Sequence, residues 1–561
     1  MWSPDSPFLY DLDITLVDGE ENVDAVKGYF GMRKISLGKV GDYTKMFLNN
    51  EPLFHMGPLD QGFWPDGLYT APTDAAMLYD IEMTKQMGFN MIRKHIKIEP
   101  RRWYYHCDRL GLLVWQDMPS PNSYSSITPP ALDKTKFKKE LRAMIDNLYN
   151  SPCIIMWVLF NESQARHDVE SLVKYIKMVD PSRLANQDSQ YGVHSTYVGD
   201  VWDIHHYPNP AYVSCANKNL ANVCGEYGGL KFKVDGHTWG AGDWGYATMN
   251  SRQELMDTYE AYVFDLIKFS SAFGMGGAVY TQTTDVEIEI NGLITYDRAV
   301  VKVDVPKLAE INKRLTNIVY QKDTIIPTAV DGGTMWKMTT TQPSSDWFKP
   351  EFDDSSWKEK KSGFGTSNTP NAVVGTTWSS SDIWIRKNFR LDGMNRQMAD
   401  SLVMLMTHDE DCEIYINGKL LASYEGHDNN YSQVEFTTAV KNALLFDAEN
   451  TIAVHCHQTH GGQFIDLGIY LVSSQGLTTS IGDVAADNTP RVDIDDKNKT
   501  VAIVGGGFGD GTRLEVVSAA GAVVKNVIAG NDEVSLSTIP AGVYVLRYAD
   551  GNRKHTCKVV I

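Results

Sequence analysis

The stretch that decides the fold is NSPCIIMWVLFNES, residues 150–163. An uninterrupted apolar run from Ile154 to Phe160 ends abruptly at Asn161 and Glu162. A short apolar run between polar residues is typical of a fully buried strand, and Ser163 is a residue type that caps a following helix. The pattern predicts a strand with an amide and a carboxylic acid at its carboxyl end. In a parallel α/β barrel that end faces the catalytic mouth, whereas an isolated strand would simply run out into solvent.

Between residues 48 and 317, short apolar runs alternate with helical stretches, which is typical of a parallel sheet built from β-α units. The predicted strands are PLFHMG, NMIRKHI, LLVWQD, IIMWVLFN, LANQD, VWDIHHY, NVCGEY and GAVYTQ. Helical spacing of apolar residues predicts helices over 73–87, 100–110, 132–148, 169–179 and 252–269. Eight such units over this length predict a (β/α)8 TIM barrel.

With the strands numbered, Glu162 follows the fourth and Glu226, in NVCGEYGG, ends the seventh. Both carboxyl groups are therefore expected at the same mouth. Two carboxyl groups across a pocket are what the cleavage of a glycosidic bond uses, one to protonate the leaving oxygen and the other to attack or to activate water. We expect Glu162 to have a raised pKa, through desolvation by Trp157 or through a nearby carboxylate.

Other polar residues end strands at the same mouth and are candidates for substrate binding. An arginine beside a carboxylate lowers its pKa, so Arg93 is the natural partner of Glu226. The full set of candidates is Arg93, His95, Asp117, Asn161, His206, Tyr207 and Tyr280, with Gln282 after the eighth strand.

The rest of the chain is predicted to be mostly β-structure. Residues 1–47 contain three strand patterns, about half of an immunoglobulin-like β-sandwich. Residues 318–475 lack helical patterns and predict an antiparallel β-sandwich, and a polar linker over 476–490 leads to a small all-β domain over 491–561. Within the sandwich HCHQTH brings His455, His457 and His460 together. Since no acidic or cysteine ligands accompany them in the sequence, we expect no metal there.

Composition narrows the class of protein. Lys and Arg total 52 against 70 Asp and Glu, for a formal net charge of -18, which argues against a nucleic-acid partner. The seven Cys residues contain no CxxC pair, which argues against a disulfide framework or a zinc knuckle. No apolar run reaches the roughly 20 residues of a membrane span. MWSPDSPFLY is not a signal peptide, so the chain either stays inside the cell or lacks its true N-terminus.

Residues 1 to about 317 resemble glycoside hydrolase family two, the group of β-galactosidases, β-glucuronidases and β-mannosidases. NSPCIIMWVLFNE is similar to the family's acid/base signature, CGEYGG to its nucleophile strand, and FNMIRKHIKIEP to a further signature. The resemblance implies that Glu162 is the general acid/base, Glu226 the nucleophile of a retaining double displacement, and Asn161 a ligand of the sugar 2-hydroxyl. Arg93 carries over, and His95 lies one residue closer to it than in the usual pattern.

Two departures from the family bear on substrate and cofactor. VWQDMPSPNS does not resemble the family's magnesium-binding segment, so we expect neither a metal nor a cofactor. EINGLITYDR lacks the lysine that holds a sugar carboxylate in β-glucuronidases, which argues against a uronic acid. The resemblance thus implies an exo-acting enzyme on neutral β-glycosides, with a β-galactoside ahead of a β-mannoside. Two alternatives are endo cleavage of a polysaccharide and a non-catalytic carbohydrate-binding surface protein.

The flanking domains add further expectations. Family members normally begin with a sugar-binding jelly roll and a whole immunoglobulin-like sandwich, so we expect this chain to be N-terminally truncated. FDDSSW, CEIYINGK and GQFIDLGIYLV resemble galactose-binding-like jelly rolls. LSTIPAGVYVLRY and KHTCKVVI resemble the C-terminal sorting domain of the type nine secretion system in Bacteroidetes. That resemblance implies a secreted or cell-surface protein, whose oligomeric state stays open.

Overall fold

A computed structural model describes residues 1–120, 132–190, 198–215, 217–316 and 318–474, together with the strands of the C-terminal tail. The chain forms two compact units, Met1–Thr478 and Thr479–Ile561. The predicted linker over 476–490 lies outside the described residues.

Two small antiparallel sheets precede the barrel. The first is a hairpin of Tyr10–Asp18 and Glu21–Phe30, and the second joins Ile35–Val40, Tyr43–Leu48 and Glu51–Pro52. Gly19 closes the hairpin turn with a φ of 62°, a left-handed conformation that suits glycine. The hairpin strands are almost wholly exposed, whereas every second residue of Tyr43–Leu48 is buried.

The eight parallel strands of the barrel confirm the prediction. In chain order, and called barrel strands 1 to 8 below, they are His55–Asp60, Met91–Lys94, Leu113–Asp117, Ile154–Val158, Leu184–Asn186, Val201–His205, Ala221–Gly228 and Gly277–Thr281. Hydrogen bonds connect neighbouring strands around the ring, except between barrel strands 5 and 6. The barrel is therefore nearly closed.

Helices pack around this ring. They are Asp74–Gln86, Arg101–Leu110, Lys134–Leu148, Val169–Val179, Arg252–Phe273 and Val305–Lys313. The helix Arg252–Phe273 begins at Ser251, whose side chain accepts from the Glu254 amide, and ends at Gly274 in the left-handed conformation. In the described part of the chain, no helix lies between barrel strands 5 and 6 or between 6 and 7, so the β-α alternation is incomplete there.

The barrel core explains why residues 154–158 decide the fold. All five residues of barrel strand 4 are buried, as are those of its neighbour, barrel strand 3. Burying a large apolar side chain contributes about 1.5–3 kcal/mol, so a strand buried on both faces is fixed in the centre of the domain. Gly57 in barrel strand 1 permits close packing, because a Cβ there would lie 2.0 Å from the Met91 carbonyl oxygen.

Residues 321–473 form two sheets of six strands each. One holds Gln321–Ile326, Phe364–Gly365, Thr376–Thr377, Leu402–Asp409, His427–Val434 and Phe464–Ser473, and the other Met335–Thr339, Lys358–Lys361, Asp382–Arg390, Asp411–Ile416, Lys419–Tyr424 and Glu449–His457. Residues of both sheets share one hydrophobic core. The expectation that helices disappear here was wrong for Thr438–Ala443, a one-turn helix capped by the Thr437 side chain.

The tail contains only strands among its described residues, namely Arg491–Asp495, Thr500–Val504, Thr512–Ser518, Val523–Ala529, Val534–Ser535, Val543–Asp550 and Arg553–Val560. They pair in antiparallel fashion into a three-stranded and a four-stranded sheet. Where the structure describes the chain, no helix has both the length and the apolar character to cross a membrane.

Candidate active site

A cavity of about 360 Å³ opens at the carboxyl ends of the barrel strands. This is the end at which the loops of such barrels carry catalytic groups. Five of the predicted site residues line it, namely His95, Asn161, Glu162, Tyr207 and Glu226. The sequence-based expectation that Glu162 and Glu226 share one mouth therefore agrees with their positions.

Glu226, on barrel strand 7, is held by a hydrogen bond to each carboxylate oxygen. Nη1 of Arg93 lies 3.1 Å from Oε1, and the Tyr207 hydroxyl donates to Oε2 at 2.6 Å. The ring of Tyr207 stacks on Tyr246 with centroids 3.6 Å apart, which fixes the hydroxyl. Glu226 is thus oriented towards the cavity with only 8% of its side chain exposed.

Arg93 connects four barrel strands from a wholly buried position. Its Nε and Nη2 donate to the two carboxylate oxygens of Asp117 at 3.1 and 3.0 Å, and Nη2 also donates to Oδ1 of Asn161 at 2.8 Å. Burial alone would raise the pKa of Asp117, but Arg93 and His95 outweigh it and hold that pKa below its usual value. Asp117 does not line the cavity and instead supports Arg93 and His95 from behind.

The residue between the two carboxylates is His205, which the sequence analysis did not select. Its Nδ1 lies 3.1 Å from Oε1 of Glu162 and 3.4 Å from Oε2 of Glu226, while Nε2 lies 2.8 Å from Oγ of Ser189. Burial lowers the pKa of His205, but the nearby carboxylates raise it more, so the net pKa lies above its usual value. His205 therefore lies between the two acids, within hydrogen-bonding distance of both.

His205 also lowers the pKa of Glu162, which was expected to be raised. Burial raises the pKa of Glu162, but the hydrogen bond and the charge of His205 outweigh it, and the pKa lies below its usual value. Trp157 does not desolvate Glu162 as expected, because its indole donates to Asp180 at 2.9 Å and lies under the Arg183 guanidinium. The expected raised pKa of Glu162 was thus wrong.

Two predicted residues lie away from the cavity. Nδ1 of His206 is 2.7 Å from the Asn209 carbonyl oxygen, and Tyr280 is wholly buried against the rings of Tyr227 and Tyr259. Successive strand residues face opposite sides, so Thr281 rather than Tyr280 faces the cavity.

The same alternation of strand residues between two faces identifies His205 as a site residue. Asp203 and His205 are two residues apart in barrel strand 6 and both side chains are buried. Residues two apart in a strand share a face, so His205 lies on the same face as the polar Asp203, whereas the predicted residue was His206. Tyr246 and Glu289 also line the cavity from loops, where no periodic signal marks them.

Two groups of side chains bear on metal binding. Donor atoms of Glu162, His205 and Glu226 all lie within 4.8 Å of one another, the one group of this kind among the residues that the structure describes. In the two six-stranded sheets over residues 321–473, Oδ1 of Asp382 lies 2.9 Å from a ring nitrogen of both His455 and His457. The premise that no acidic residue accompanies these histidines was therefore wrong, because Asp382 comes from a strand distant in sequence.

Comparison with protein families gives two matches. Residues 44–222 match the model described as "Glycosyl hydrolases family 2, TIM barrel domain", and residues 1–33 match "Glycosyl hydrolases family 2". The first match contains Arg93, Asn161 and Glu162, whereas Glu226 lies just beyond it.

The chain is also similar to curated proteins and to solved structures. A beta-galactosidase of Leuconostoc mesenteroides is 34% identical over 190 residues, 33% of this chain and 18% of the relative. A beta-galactosidase of Vibrio cholerae is 27% identical over 337 residues, 56% of this chain and 32% of the relative. Beta-glucuronidase 2 of Bacteroides uniformis, solved with a bound cyclophellitol-6-carboxylate aziridine, has 16% identity and a TM-score of 0.45, covering 84% of this chain and 71% of that one.

The matches thus span less than a third of the length of these two curated relatives. Residues 44–222 are thus similar to the TIM barrel domain of glycosyl hydrolases family 2, the family that the motifs around Glu162 and Glu226 resemble.

Proposed function

We propose that the protein is a retaining glycoside hydrolase that cleaves β-glycosidic bonds, with Glu226 as nucleophile and Glu162 as general acid/base. The observation that carries the proposal is that one oxygen of Glu162 and one of Glu226 lie within 4.8 Å of each other at an open cavity. Retaining enzymes keep their carboxyl groups about 5–5.5 Å apart, while inverting enzymes need roughly 6.5–9.5 Å to admit water between them. The observed separation supports double displacement.

In the first step, an oxygen of Glu226 attacks the anomeric carbon and the bond to the leaving oxygen breaks. Glu162 gives its proton to that oxygen, so the aglycone leaves as an alcohol. Arg93 and Tyr207 hold the two oxygens of Glu226 by hydrogen bonds and keep the carboxylate aimed at the anomeric carbon. In the second step Glu162 takes a proton from water, which attacks the same carbon and releases Glu226.

His205 supplies the proton that Glu162 donates to the leaving oxygen. Nδ1 of His205 lies 3.1 Å from Oε1 of Glu162, and the nearby carboxylates raise the pKa of the imidazole. When a substrate expels water from the cavity, desolvation raises the pKa of Glu162 and the proton moves along the existing hydrogen bond. This route accounts for a general acid whose pKa is low before the substrate binds.

A neutral sugar is the proposed substrate, with a β-galactoside first and a β-mannoside as the alternative. The identity with β-galactosidases over about a third of the chain supports the first choice. Thr281, Tyr207 and Asn161 present the hydroxyl and amide groups that neutral sugars use, and Asn161 is the proposed ligand of the 2-hydroxyl.

We also propose roles for the flanking domains. The two sheets over 321–473, with one shared core, support a galactose-binding-like β-sandwich that accompanies the barrel. The hairpin Tyr10–Asp18 and Glu21–Phe30 supports part of an immunoglobulin-like sandwich. The all-β tail supports the sorting domain and thereby secretion or display at the cell surface.

One experiment tests the enzymatic proposal. Nitrophenyl β-galactoside, β-mannoside, β-glucoside and β-glucuronide are assayed with the wild type and with Glu226→Gln and Glu162→Gln. We expect turnover of a neutral glycoside and its loss by at least about 10³-fold in Glu226→Gln, since the nucleophile is gone. No turnover by folded wild type would refute the enzyme, and undiminished turnover in Glu226→Gln would refute the assignment of the site.

A further inference from the structure

Glu289 is a third carboxylate in the same cavity, and neither the proposed mechanism nor the family motifs use it. It is half-buried in the loop after barrel strand 8 and lines the cavity with Glu162 and Glu226. Its backbone is fixed by reciprocal hydrogen bonds with Val286, at 2.9 and 3.0 Å. The backbone of Glu289 therefore has a defined position in the cavity wall.

Amide donors hold the Glu289 carboxylate in place. Its Oε2 accepts from Nε2 of Gln61 at 3.0 Å and from Nε2 of Gln282 at 3.2 Å. The two glutamines also bond to each other at 2.9 Å, and Gln282 donates to Oδ1 of the wholly buried Asn291. Ordering these side chains costs conformational entropy, which the hydrogen bonds offset. Glu289 is therefore held in place and differs from a solvated surface acid.

Acidic side chains outnumber basic ones among the residues that line the cavity. Apart from His95, the described residues that line the cavity include no basic side chain, while three of them are glutamates. Arg93 lies behind the wall, wholly buried, and its guanidinium already contacts Asp117 and Glu226. Residues 121–131 and 191–197, which follow barrel strands 3 and 5, contain neither Lys nor Arg.

We infer that Glu289 makes the site select neutral β-glycosides over β-uronides. The inference rests on the proposed glycosidase function and deepens it. The Glu289 carboxylate accepts hydrogen bonds from hydroxyl groups of a neutral sugar, and its charge opposes a carboxylate on the substrate.

The electrostatic part of this inference holds for any orientation of the sugar. A sphere with the volume of the cavity is about 9 Å across, close to one Debye length, so salt screens little of the repulsion inside. A uronate would bring a further negative charge among fixed carboxylates without a free cation to pair with. Specificity of this kind comes from a repulsive element as much as from attraction.

The test compares Glu289→Gln with wild type and with Glu287→Gln as a matched control. Glu287 is in the same loop, two residues away, and is exposed. The values of kcat/KM are measured for nitrophenyl β-galactoside, β-glucuronide and β-galacturonide, with a melting curve for each variant. Glutamine keeps the size and one acceptor oxygen of Glu289 and removes its charge.

We expect wild type to prefer the neutral glycoside by at least about 100-fold. Glu289→Gln should raise the ratio of uronide to neutral kcat/KM by about tenfold, whereas Glu287→Gln should leave it unchanged. Structural damage would lower both activities together and would not move the ratio. If Glu289→Gln is unfolded, Glu289→Ser provides the same charge removal.

The outcomes separate the inference from the function on which it rests. A wild type that prefers a uronide, or a ratio that stays constant in Glu289→Gln, contradicts the inference and leaves the glycosidase standing. A wild type that cleaves neither class refutes both.

Discussion

Nδ1 of His205 lies 3.1 Å from Oε1 of Glu162, so the proposed general acid shares a hydrogen bond with a buried imidazole. The pKa of the histidine is raised and that of the glutamate is lowered. The pair therefore titrates as a unit, and its apparent pKa values belong to both groups.

Replacing His205 should change the pH dependence of catalysis. In His205→Gln, Glu162 becomes the only holder of the acid's proton, so the basic limb of kcat/KM against pH should move down by about one unit. His206→Gln is the matched control, since its imidazole contacts the Asn209 carbonyl instead. Equal profiles for His205→Gln and wild type would contradict the proton route.

The same pair should leave a signature in stability. The raised pKa of His205 contributes stability that is fully present below its unfolded pKa, about 6.5, and is lost as pH rises through the folded pKa. The lowered pKa of Glu162 contributes stability above its unfolded pKa, about 4.3, that is lost as pH falls through the folded pKa. Urea unfolding should therefore show the largest difference between wild type and His205→Gln at about pH 5–6, between those two unfolded pKa values. A difference that grows above pH 8 would contradict this assignment.

Tyr207→Phe should reduce kcat with little effect on KM. The change removes the 2.6 Å hydrogen bond to Oε2 of Glu226 but keeps the ring that stacks on Tyr246. Loss of one oriented donor at a reacting group costs about 10²-fold in rate. Tyr280→Phe, outside the cavity, should stay within about twofold of wild type, as expected for a change away from reacting groups. Equal losses in the two variants would show that the Tyr207 hydroxyl has no special role.

Arg93→Lys should cost both activity and stability. A lysine makes one of the contacts that the guanidinium makes to Asp117, Asn161 and Glu226 and leaves buried acids unpaired. Breaking a buried ion pair costs about 3–5 kcal/mol of unfolding free energy. The control is Arg102→Lys, whose side chain is 65% exposed. A melting temperature unchanged in Arg93→Lys would contradict the network.

Gly57→Ala should destabilise the barrel by about 3 kcal/mol, because small-to-large changes in a packed core force the backbone to move. The added Cβ would lie 2.0 Å from the Met91 carbonyl oxygen. Gly240→Ala, where the Cβ meets nothing within 4 Å, is the control. Denaturant unfolding distinguishes the two, and equal midpoints would contradict the close packing of barrel strands 1 and 2.

Much of the fold could be read from the sequence because buried parallel strands are continuous apolar runs. All eight barrel strands overlap their predicted segments, and Ile154–Val158 is the clearest, whereas His55–Asp60 begins and ends three residues after the predicted PLFHMG. The site residues also differ in whether the sequence pattern predicts them. Glu162 and Glu226 could be predicted because they lie at strand ends. Predicting His205 required knowing which residues of barrel strand 6 face inward, and an error of one residue exchanges the two faces of a strand.

The remaining site features depend on contacts that the sequence does not encode locally. Glu289 and Tyr246 reach the cavity from loops, whose geometry follows from tertiary packing. The low pKa of Glu162 depends on a histidine 43 residues away in the chain. A carboxylate's environment, and hence its protonation, is decided only when the barrel has assembled.

The central claim, a covalent glycosyl-enzyme on Glu226, is tested most directly by trapping that intermediate. The protein is incubated with a 2-deoxy-2-fluoro-β-galactosyl fluoride, and its peptides are analysed by mass spectrometry. The account predicts one added fluorosugar, on the peptide that contains Glu226, and no label in Glu226→Gln. A label on Glu162, or active enzyme that forms no adduct and releases product of inverted configuration, would contradict it.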